Sequence, residues 1–335
     1  MALPPVLKNS LEIPVIGSPM FIVSTPDLVI AQCKSGIVGS FPALNARPAH
    51  VLEEWIIRIK TELANYQAEN PDKKVAPFAV NQICHSSNDR LARDMEICVK
   101  HEVPIIITSL RPPAEVVEGA HSYGGVVFHD VISVRHARKA AEQGVDGLIL
   151  VCAGAGGHAG TLSPFALVRE AKEWFDGTII LSGAISDGWG IASALALGAD
   201  LAYIGTRFIA TKEANAQPGY KDMLIRATAS DIVYTDLFSG VLGNYLGPSI
   251  VEAGLDPQNL PAASKDTMNF GSGGNMKQKA WRDIWSSGQG IGSITDAPPV
   301  AELVGRLKRD YAQACREFAE RMPSGILAGV KAAAE

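Results

Sequence analysis

The chain has 335 residues, of which 47% are hydrophobic, and its formal net charge is −5. A chain near 300 residues buries roughly three quarters of its unfolded surface, so a large core needs no covalent staples. The sequence has no basic stripe or polybasic cluster, which disfavours nucleic acid and anionic membranes as partners. The first ten residues lack the apolar run of a secretory signal, and no window approaches the ~20 apolar residues of a membrane span.

Cysteine and histidine usage points to a reduced environment and away from metal chemistry. The five cysteines are scattered, odd in number and without a CxxC pair. This pattern favours a cytoplasmic setting in which most thiols act as small buried hydrophobes. The seven histidines show no HExxH or similar ligand spacing, so we expect no metal site.

Short apolar runs alternate with longer helical windows along the first two thirds of the chain. Each run is continuous rather than alternating, which is typical of parallel strands covered on both faces. The runs are 13–17, 36–41, 75–81, 104–108, 125–129, 147–152, 178–182 and 201–205. The helical windows are 49–67, 89–101, 133–143, 164–175 and 188–197. Eight strands with intervening helices predict a (β/α)8 TIM barrel, although a doubly wound sheet would use the same elements.

Two of the predicted helices carry recognisable end signals. Ser133 and Asp187 are suited to cap helices that start at the next residue, because a short polar side chain accepts a hydrogen bond from the first turn. Gly144 and Gly198 are suited to end these helices. These residues predict where the helices after the fifth and seventh strands begin and end.

The regular alternation of predicted strands and helices ends after Glu213. Residues 230–295 are rich in Gly, Ser, Asn and Pro with few clear strands, and 237–246 and 264–274 look like loops or short helices. So long an insertion is typical of a lid or binding element, and we expect a cap over the barrel mouth. The amphipathic pattern of 300–319 predicts a helix that packs back on the barrel. The predicted division is a barrel (1–225), a smaller inserted cap (226–295) and a C-terminal helical segment (296–335).

Two glycine-containing loops follow the seventh and eighth predicted strands. TIM barrels often bind phosphate at this place, through backbone N–H groups and a short helix N-terminus. The candidate residues are Gly183 and Ala184 in the first loop, and Gly205 and Thr206 in the second. These glycines can instead serve tight turns alone, but two such loops separated by one βα unit favour phosphate binding.

A third loop, residues 153–160, follows the sixth predicted strand and contains His158. It holds four glycines and no charged side chain, so it can lie close against a flat ligand, with Gly157 as a contact. An imidazole here can donate a hydrogen bond to an accumulating anion or take a proton from a carbon acid. A loop histidine is more often a surface or structural residue, but its position on the rim of the phosphate loops favours a catalytic role.

Further segments leave two interpretations open. Pro19 and Met20 form a turn after the first strand that can offer backbone groups to a planar heterocycle, or can bury Met20. Asn81, at the end of the third strand, can pair with a heterocycle edge or cap the following turn. The segment 284–292 can close over a phosphate or form a packed turn. His129 and Asp130, after the fifth strand, can be a polar anchor or a substrate contact.

Taken together, these segments resemble the nitronate monooxygenase family, formerly called 2-nitropropane dioxygenases. That family also contains FMN-dependent NADH:quinone reductases and the flavin-type enoyl-acyl-carrier-protein reductases. The resemblance runs from residue 13 to about residue 303. Its most specific parts are 155–160, 182–208 and 285–289, with Pro19 and Met20 in the opening motif. It implies a TIM barrel with a smaller cap and a non-covalently bound FMN.

The resemblance also implies roles for individual residues. His158 would lie beside the reactive edge of the flavin, as an acid or base or as a substrate anchor. The isoalloxazine would lie near Pro19, Met20 and Asn81, with Gly157 also contacting the cofactor. The phosphate would lie on Gly183, Ala184, Gly205 and Thr206, with help from Ser287, Gly288 and Gln289.

The activity implied first is oxidation of alkyl nitronates with dioxygen, in a pocket walled by Tyr234, Phe238 and Tyr245. The alternative is an NAD(P)H-dependent reductase of quinones or enoyl thioesters on the same FMN barrel. A third hypothesis is a non-flavin barrel similar to the IMP dehydrogenase class, for which Cys152 is the candidate nucleophile. A homodimer is compatible with all three.

Two departures from the family pattern concern the site itself. The family often has Gly-Gly in the first phosphate loop where this chain has Gly183-Ala184, which requires ordinary backbone dihedrals at the alanine. Some members carry a lysine after strand five, where this chain has His129-Asp130. A carboxylate near the flavin would disfavour the anionic reduced form and lower its potential.

Overall fold

The structure is a computed structural model that describes residues 3–111, 113–261 and 284–326. Its largest sheet has eight parallel strands in the order β1-β9-β8-β6-β5-β4-β3-β2. Ile16 bridges Val38, so the two ends of the sheet meet and the sheet curls into a barrel. These strands are β1 (Val15–Gly17), β2 (Gly39–Pro42), β3 (Phe78–Cys84), β4 (Ile105–Leu110), β5 (Val126–Val131), β6 (Gly147–Val151), β8 (Thr178–Ser182) and β9 (Leu201–Ile204). The predicted TIM barrel is confirmed, and the doubly wound alternative is wrong.

Helices follow the barrel strands along the chain. They are α1 (Pro26–Lys34), α2 (Val51–Glu69), α3 (Leu91–Lys100), α4 (Ala114–His121), α5 (Val134–Ala141), α6 (Pro164–Lys172), α7 (Gly188–Leu197), α8 (Thr206–Ile209) and α9 (Pro218–Arg226). The caps at Ser133 and Asp187 are confirmed, because each side chain accepts a hydrogen bond from the backbone of its first turn. Gly198 ends α7 in the left-handed conformation, with φ of 110°. The helix α4 has no counterpart among the predicted helical windows.

Side chains alternate between two hydrophobic clusters along each barrel strand. Phe128 belongs to the cluster inside the barrel, whereas Val127 and Val131 belong to the cluster between strands and helices. The same period of two directs the side chains near the carboxyl ends of the strands toward the barrel axis. The inward positions there are polar in several strands, and this polar layer forms the floor of the mouth.

The inserted region contains more strand than its composition predicts. β10 (Ile232–Thr235) and β11 (Gly243–Leu246) pair antiparallel, and β11 also pairs with β7 (Gly157–His158) in the loop after β6. The prediction of a loop or short helix over 237–246 was wrong at β11, because Gly and Asn are poor strand formers by propensity and the pairing is imposed by tertiary contacts. Residues 264–274, predicted as loop or short helix, lie outside the described residues.

Two helices complete the described chain. α10 (Gly247–Glu252) follows β11 directly, and its Ile250 packs with Phe238, Tyr245 and Ile284 in a small separate core. α11 (Val300–Arg321) packs against α1 and α7, so the predicted C-terminal helix is confirmed. The division at residues 225 and 295 stays a prediction. None of the helices that the structure describes is long and apolar enough to cross a membrane.

Candidate active site

A cavity of 680 Å³ opens at the carboxyl ends of the barrel strands. Its volume falls within the range of small-molecule and cofactor sites. The sequence-predicted residues that line it are Pro19, Met20, Asn81, Gly157, His158, Gly183, Ala184, Gly205, Thr206 and Gly288. Ser287 and Gln289 do not line it. The structure therefore brings ten of the twelve predicted residues to one cavity.

Three loops converge at one corner of the cavity. The Gly288 N–H donates to Thr206 Oγ1 at 2.9 Å. A Cβ atom at Gly156 would lie 2.7 Å from Gly288 N and 3.0 Å from Thr206 Oγ1, so the close approach requires glycine. The Gln289 N–H donates to the Gly154 carbonyl at 2.9 Å. Gln289 and Ser287 thus flank Gly288 and support its position, but they do not line the cavity themselves.

The backbone of Ala184 does not have the ordinary dihedrals that its side chain requires. Its φ is 53°, in the left-handed region, and its N–H donates to the Gly154 carbonyl at a long 3.3 Å. An L-residue in this region costs about 1–2 kcal/mol relative to the right-handed conformation. The loop keeps the shape that glycine would adopt, and the alanine methyl group contributes to the cavity surface.

His158 is positioned by the inserted sheet rather than by the barrel. Its backbone pairs with Gly243 of β11, and its Nε2 lies 2.9 Å from Ser239 Oγ. Ser239 Oγ also lies 3.2 Å from the Tyr245 hydroxyl, so a series of hydrogen bonds links His158 to the small core. Burial lowers the pKa of His158 to about 4, so the imidazole is neutral at physiological pH. Ser239 was missed by sequence reasoning, because a serine in a glycine-rich loop has no distinctive spacing.

The three aromatic residues expected to wall the pocket take different positions. Tyr234 and Phe238 line the cavity, and the Tyr234 hydroxyl donates to the Ala159 carbonyl at 2.7 Å. Tyr245 is fully buried and packs edge-on against Phe238, with ring centroids 4.9 Å apart. The expectation for Tyr245 was therefore wrong, because β11 turns this side chain into the small core.

The turn at Pro19 and Met20 is fixed by residues on both sides. The Met20 N–H donates to Ser24 Oγ at 3.0 Å, and Asn45 Nδ2 donates to the Met20 carbonyl at 3.0 Å. Asn45 Oδ1 also accepts from the Ile22 N–H at 2.9 Å, and Ile22 has an unusual φ of 66°. Such strain at a β-branched residue persists only where surrounding contacts impose it, and it often accompanies a functional site. Asn45 carried no signal in the sequence.

A polar chain crosses the cavity floor from β3 to β5. Asn81 Nδ2 donates to Ser109 Oγ at 3.0 Å, and Ser109 donates to Asp130 Oδ2 at 2.6 Å. The alternative that Asn81 caps a turn is wrong, because β3 continues to Cys84. Burial raises the pKa of Asp130 to about 7, and the Ser109 hydrogen bond opposes this shift only in part. His129 faces the helices instead, with Nδ1 2.8 Å from Thr108 Oγ1.

Cys152 does not support the third hypothesis. Its side chain is fully buried and does not line the cavity. Burial raises the pKa of its thiol to about 12, whereas a nucleophilic cysteine needs a thiolate. The structure therefore argues against Cys152 as a catalytic nucleophile.

The barrel and its cavity define a TIM-barrel enzyme with a small-molecule site at the mouth. A family model described as nitronate monooxygenase matches residues 5–310, so the chain belongs to the nitronate monooxygenase family. Membership makes it an oxidoreductase of a flavin-dependent family. This family was the one that the sequence motifs indicated.

Individual relatives agree with this assignment. The nitronate monooxygenase of Paraburkholderia phytofirmans is 28% identical over 352 aligned residues, covering 91% of this chain and 94% of that protein. A nitroalkane oxidase structure from Streptomyces ansochromogenes has a TM-score of 0.76 at 22% identity, covering 93% of this chain and 99% of its own. FabK from Thermotoga maritima has a TM-score of 0.74 at 23% identity, covering 95% and 97%. At these identities the two structures show the fold alone.

Proposed function

We propose that this protein is an FMN-dependent nitronate monooxygenase that oxidises alkyl nitronates with dioxygen. The observation that carries the proposal is the convergence of the His158 loop and both phosphate-loop candidates on one cavity. The relative from Paraburkholderia phytofirmans, which matches nearly end to end, bears the same activity in its name.

The residues present fit a flavin mononucleotide. Gly157 leaves room for a flat ligand, since a Cβ atom there would meet nothing within 4 Å. Asp130 Oδ1 and Tyr203 Oη are buried, and neither makes a hydrogen bond of normal geometry to the residues that the structure describes. Such atoms are uncommon in native proteins and indicate that a ligand supplies the partner.

Each group of residues has a proposed part in holding the cofactor. Gly183, Ala184, Gly205, Thr206 and Gly288 would surround the phosphate. Pro19, Met20, Asn81 and Gly157 would contact the ring system. Ser287 and Gln289 would support the residues around the phosphate without touching the ligand. Bound FMN supplies the electron-transfer chemistry, and the protein positions and tunes it.

His158 would hold the substrate against the cofactor. A neutral imidazole can donate one hydrogen bond to the anionic nitro-group oxygens of a nitronate, or accept a proton from a neutral nitroalkane. Ser239 fixes the ring orientation, because it lies 2.9 Å from Nε2. Tyr234 and Phe238 bound the space beside it with apolar surface that excludes water.

Aerobic turnover of propionate 3-nitronate or ethylnitronate tests the proposal. The expected result is oxygen consumption by purified protein with bound FMN. A yellow, FMN-loaded protein that consumes no oxygen with either nitronate would remove this activity and leave the flavin assignment intact. A colourless protein that takes up no FMN would remove both.

A second candidate is an NAD(P)H-dependent reductase of quinones or enoyl thioesters. The observation in its favour is the mouth of the cavity, where Phe21, Ile132 and Leu242 are exposed and Arg47 lies over the Phe21 ring at 5.6 Å. An apolar rim with a cation suits a larger, amphipathic anion. Anaerobic mixing with NADH or NADPH should then bleach the flavin rapidly, and a flavin that stays oxidised for minutes would exclude this reductase.

Two further expectations remain predictions. The homodimer is tested by the mass of the purified protein in solution. The reduced cytoplasmic setting is tested by the location of the protein in cells that express it.

A further inference from the structure

The floor of the cavity combines two buried oxygens that make no hydrogen bond of normal geometry to the described residues. Asp130 lies on β5 and Tyr203 on β9, and both line the cavity. Asp130 Oδ1 has no hydrogen-bond partner among the described residues. Tyr203 Oη makes no hydrogen bond of normal geometry to them, although the nearby Ser18 side chain partly offsets the rise in its pKa. The two side chains influence each other electrostatically, since the Asp130 charge raises the pKa of Tyr203.

The hydrogen-bond chain on the floor determines which oxygen of Asp130 is available. Asn81 Nδ2 can only donate, so it occupies a lone pair of Ser109 Oγ at 3.0 Å. The Ser109 hydrogen therefore points to Asp130 Oδ2, at 2.6 Å. Because Oδ2 already accepts this hydrogen bond, a proton on the carboxyl group would reside on Oδ1.

The Ser109 hydrogen bond favours the ionised form of Asp130, but burial of the carboxyl group outweighs it. Burial raises the pKa of the carboxyl group to about 7, and burial likewise raises that of Tyr203 well above its ordinary value. Tyr203 is thus a hydroxyl donor, and Asp130 is a donor whenever it is protonated. The other ionisable side chains that line the cavity are Arg47, His136, His158, Tyr220 and Tyr234.

We propose that Asp130 and Tyr203 form a donor pair for an electron-rich oxygen of the bound flavin. A neutral carboxylic acid beside a phenol, in an apolar site, is an effective donor pair for an oxygen that gains negative charge. The pair would stabilise the reduced cofactor, which is the opposite of the effect expected for an ionised carboxylate. This inference rests on FMN binding as proposed above.

The test compares FMN-loaded variants in their affinity for sulfite, which reports how well the protein stabilises negative charge on the flavin ring. Tyr203→Phe should weaken sulfite binding about ten- to hundredfold, because a hydrogen bond to a charged group is lost. Asp130→Leu should do the same. Asp130→Asn should keep most of the affinity at pH 6, because the amide N–H replaces the acid as donor.

The pH dependence provides a second readout. The midpoint potential of the wild type should fall relative to that of Asp130→Asn as the pH rises from 6 to 8, because only the wild type loses its donor by ionisation. Matched controls lie at the opposite end of the barrel. In these, Tyr123→Phe removes a hydroxyl bonded to the Val103 carbonyl, and Asp146→Asn changes a carboxylate bonded to the Val127 N–H.

The outcomes separate this inference from the proposed function. Sulfite affinities within twofold of wild type in Tyr203→Phe and Asp130→Leu, with FMN still bound, would overturn the donor pair and leave the flavoprotein intact. Unchanged flavin properties with a weakened nitronate affinity would also overturn it, since the pair would then face the substrate. A wild-type protein that binds no FMN would overturn the proposed function itself.

Discussion

At the scale of single residues, the chemistry of the site depends on side chains held in unusual states. His158 is kept neutral by burial, and Asp130 is held partly protonated at neutral pH. Ala184 adopts a left-handed backbone conformation that glycine would adopt without strain. Each of these states is imposed by neighbours, so each can be tested by one substitution.

The role of His158 predicts a defined kinetic loss. His158→Asn keeps a polar side chain of similar reach but cannot exchange a proton near neutral pH. If the imidazole acts as acid or base, turnover should fall by ~10²–10⁴-fold while FMN stays bound. Steady-state oxygen consumption and the flavin absorbance measure the two quantities. Loss of FMN from the variant would instead assign a structural role to the histidine.

The strain at Ala184 predicts a gain in stability. Ala184→Gly should raise the free energy of unfolding by about 0.5–1 kcal/mol, because relief of the left-handed strain exceeds the added backbone entropy of the unfolded glycine. Ala312→Gly, at an exposed position within α11, is the control and should lower it by about 1 kcal/mol. Urea denaturation measures both. A loss at position 184 similar to that at position 312 would contradict the assignment of strain.

At the scale of elements, the inserted sheet connects His158 to the corner of the cavity where Gly156, Thr206 and Gly288 meet. β11 pairs with β7 at Gly157 and His158, and Ser286 bridges Tyr245 of the same strand. Asn244 Nδ2 donates to the Ala155 carbonyl at 2.6 Å. One short strand thus fixes both the His158 loop and the segment before Gly288.

This arrangement predicts that Gly243 cannot be replaced without displacing His158. A Cβ atom there would lie 2.7 Å from the Gly157 carbonyl oxygen, and backbone cannot yield as a flexible side chain can. Gly243→Ala should therefore lower turnover at least tenfold, because a displacement near 1 Å in a reacting group has effects of this order. Gly292→Ala is the matched control, since its Cβ atom would meet nothing within 4 Å. Equal turnover in the two variants would argue against the role of the sheet.

At the scale of the whole molecule, the buried Asp130 carboxyl group makes the stability of the folded protein depend on pH. In the folded protein Asp130 holds its proton up to about pH 7, whereas an unfolded aspartate releases it near pH 3.9. The folded state therefore binds more protons between these values, and its stability falls as the pH rises through them.

This linkage predicts a pH-dependent difference between the wild type and Asp130→Asn. The free energy of unfolding of the variant should increase relative to that of the wild type as the pH rises from 4 to 8, because the amide never ionises. Chemical denaturation of both proteins without FMN at several pH values measures the difference, in which the effects of His158 and other groups cancel. A constant difference across this range would show that Asp130 is ionised in the folded protein.

The barrel and much of the site were predictable from sequence because their signals are local. Continuous apolar runs predicted the eight strands, and the seventh of them was placed at its observed bounds, Thr178–Ser182. Glycine loops after strands of a barrel meet on one rim whatever the side chains between them. That topological rule placed His158, Gly183 and Gly205 together before any distance was known.

What the sequence by itself determined is the barrel, the rim on which its loops meet and the family. The tertiary structure decided which side chains face the cavity and in which protonation state they are held. Ser239, Asn45 and Tyr203 gave no sequence signal, because their roles depend on partners 21 to 81 residues away or on alternation within a strand. Long-range contacts likewise decided that Ser287 and Gln289 do not line the cavity, and that no cation of the described residues shifts the pKa of the buried Asp130 carboxyl group. Burial and pairing are properties of the assembled barrel, so no local pattern contains them.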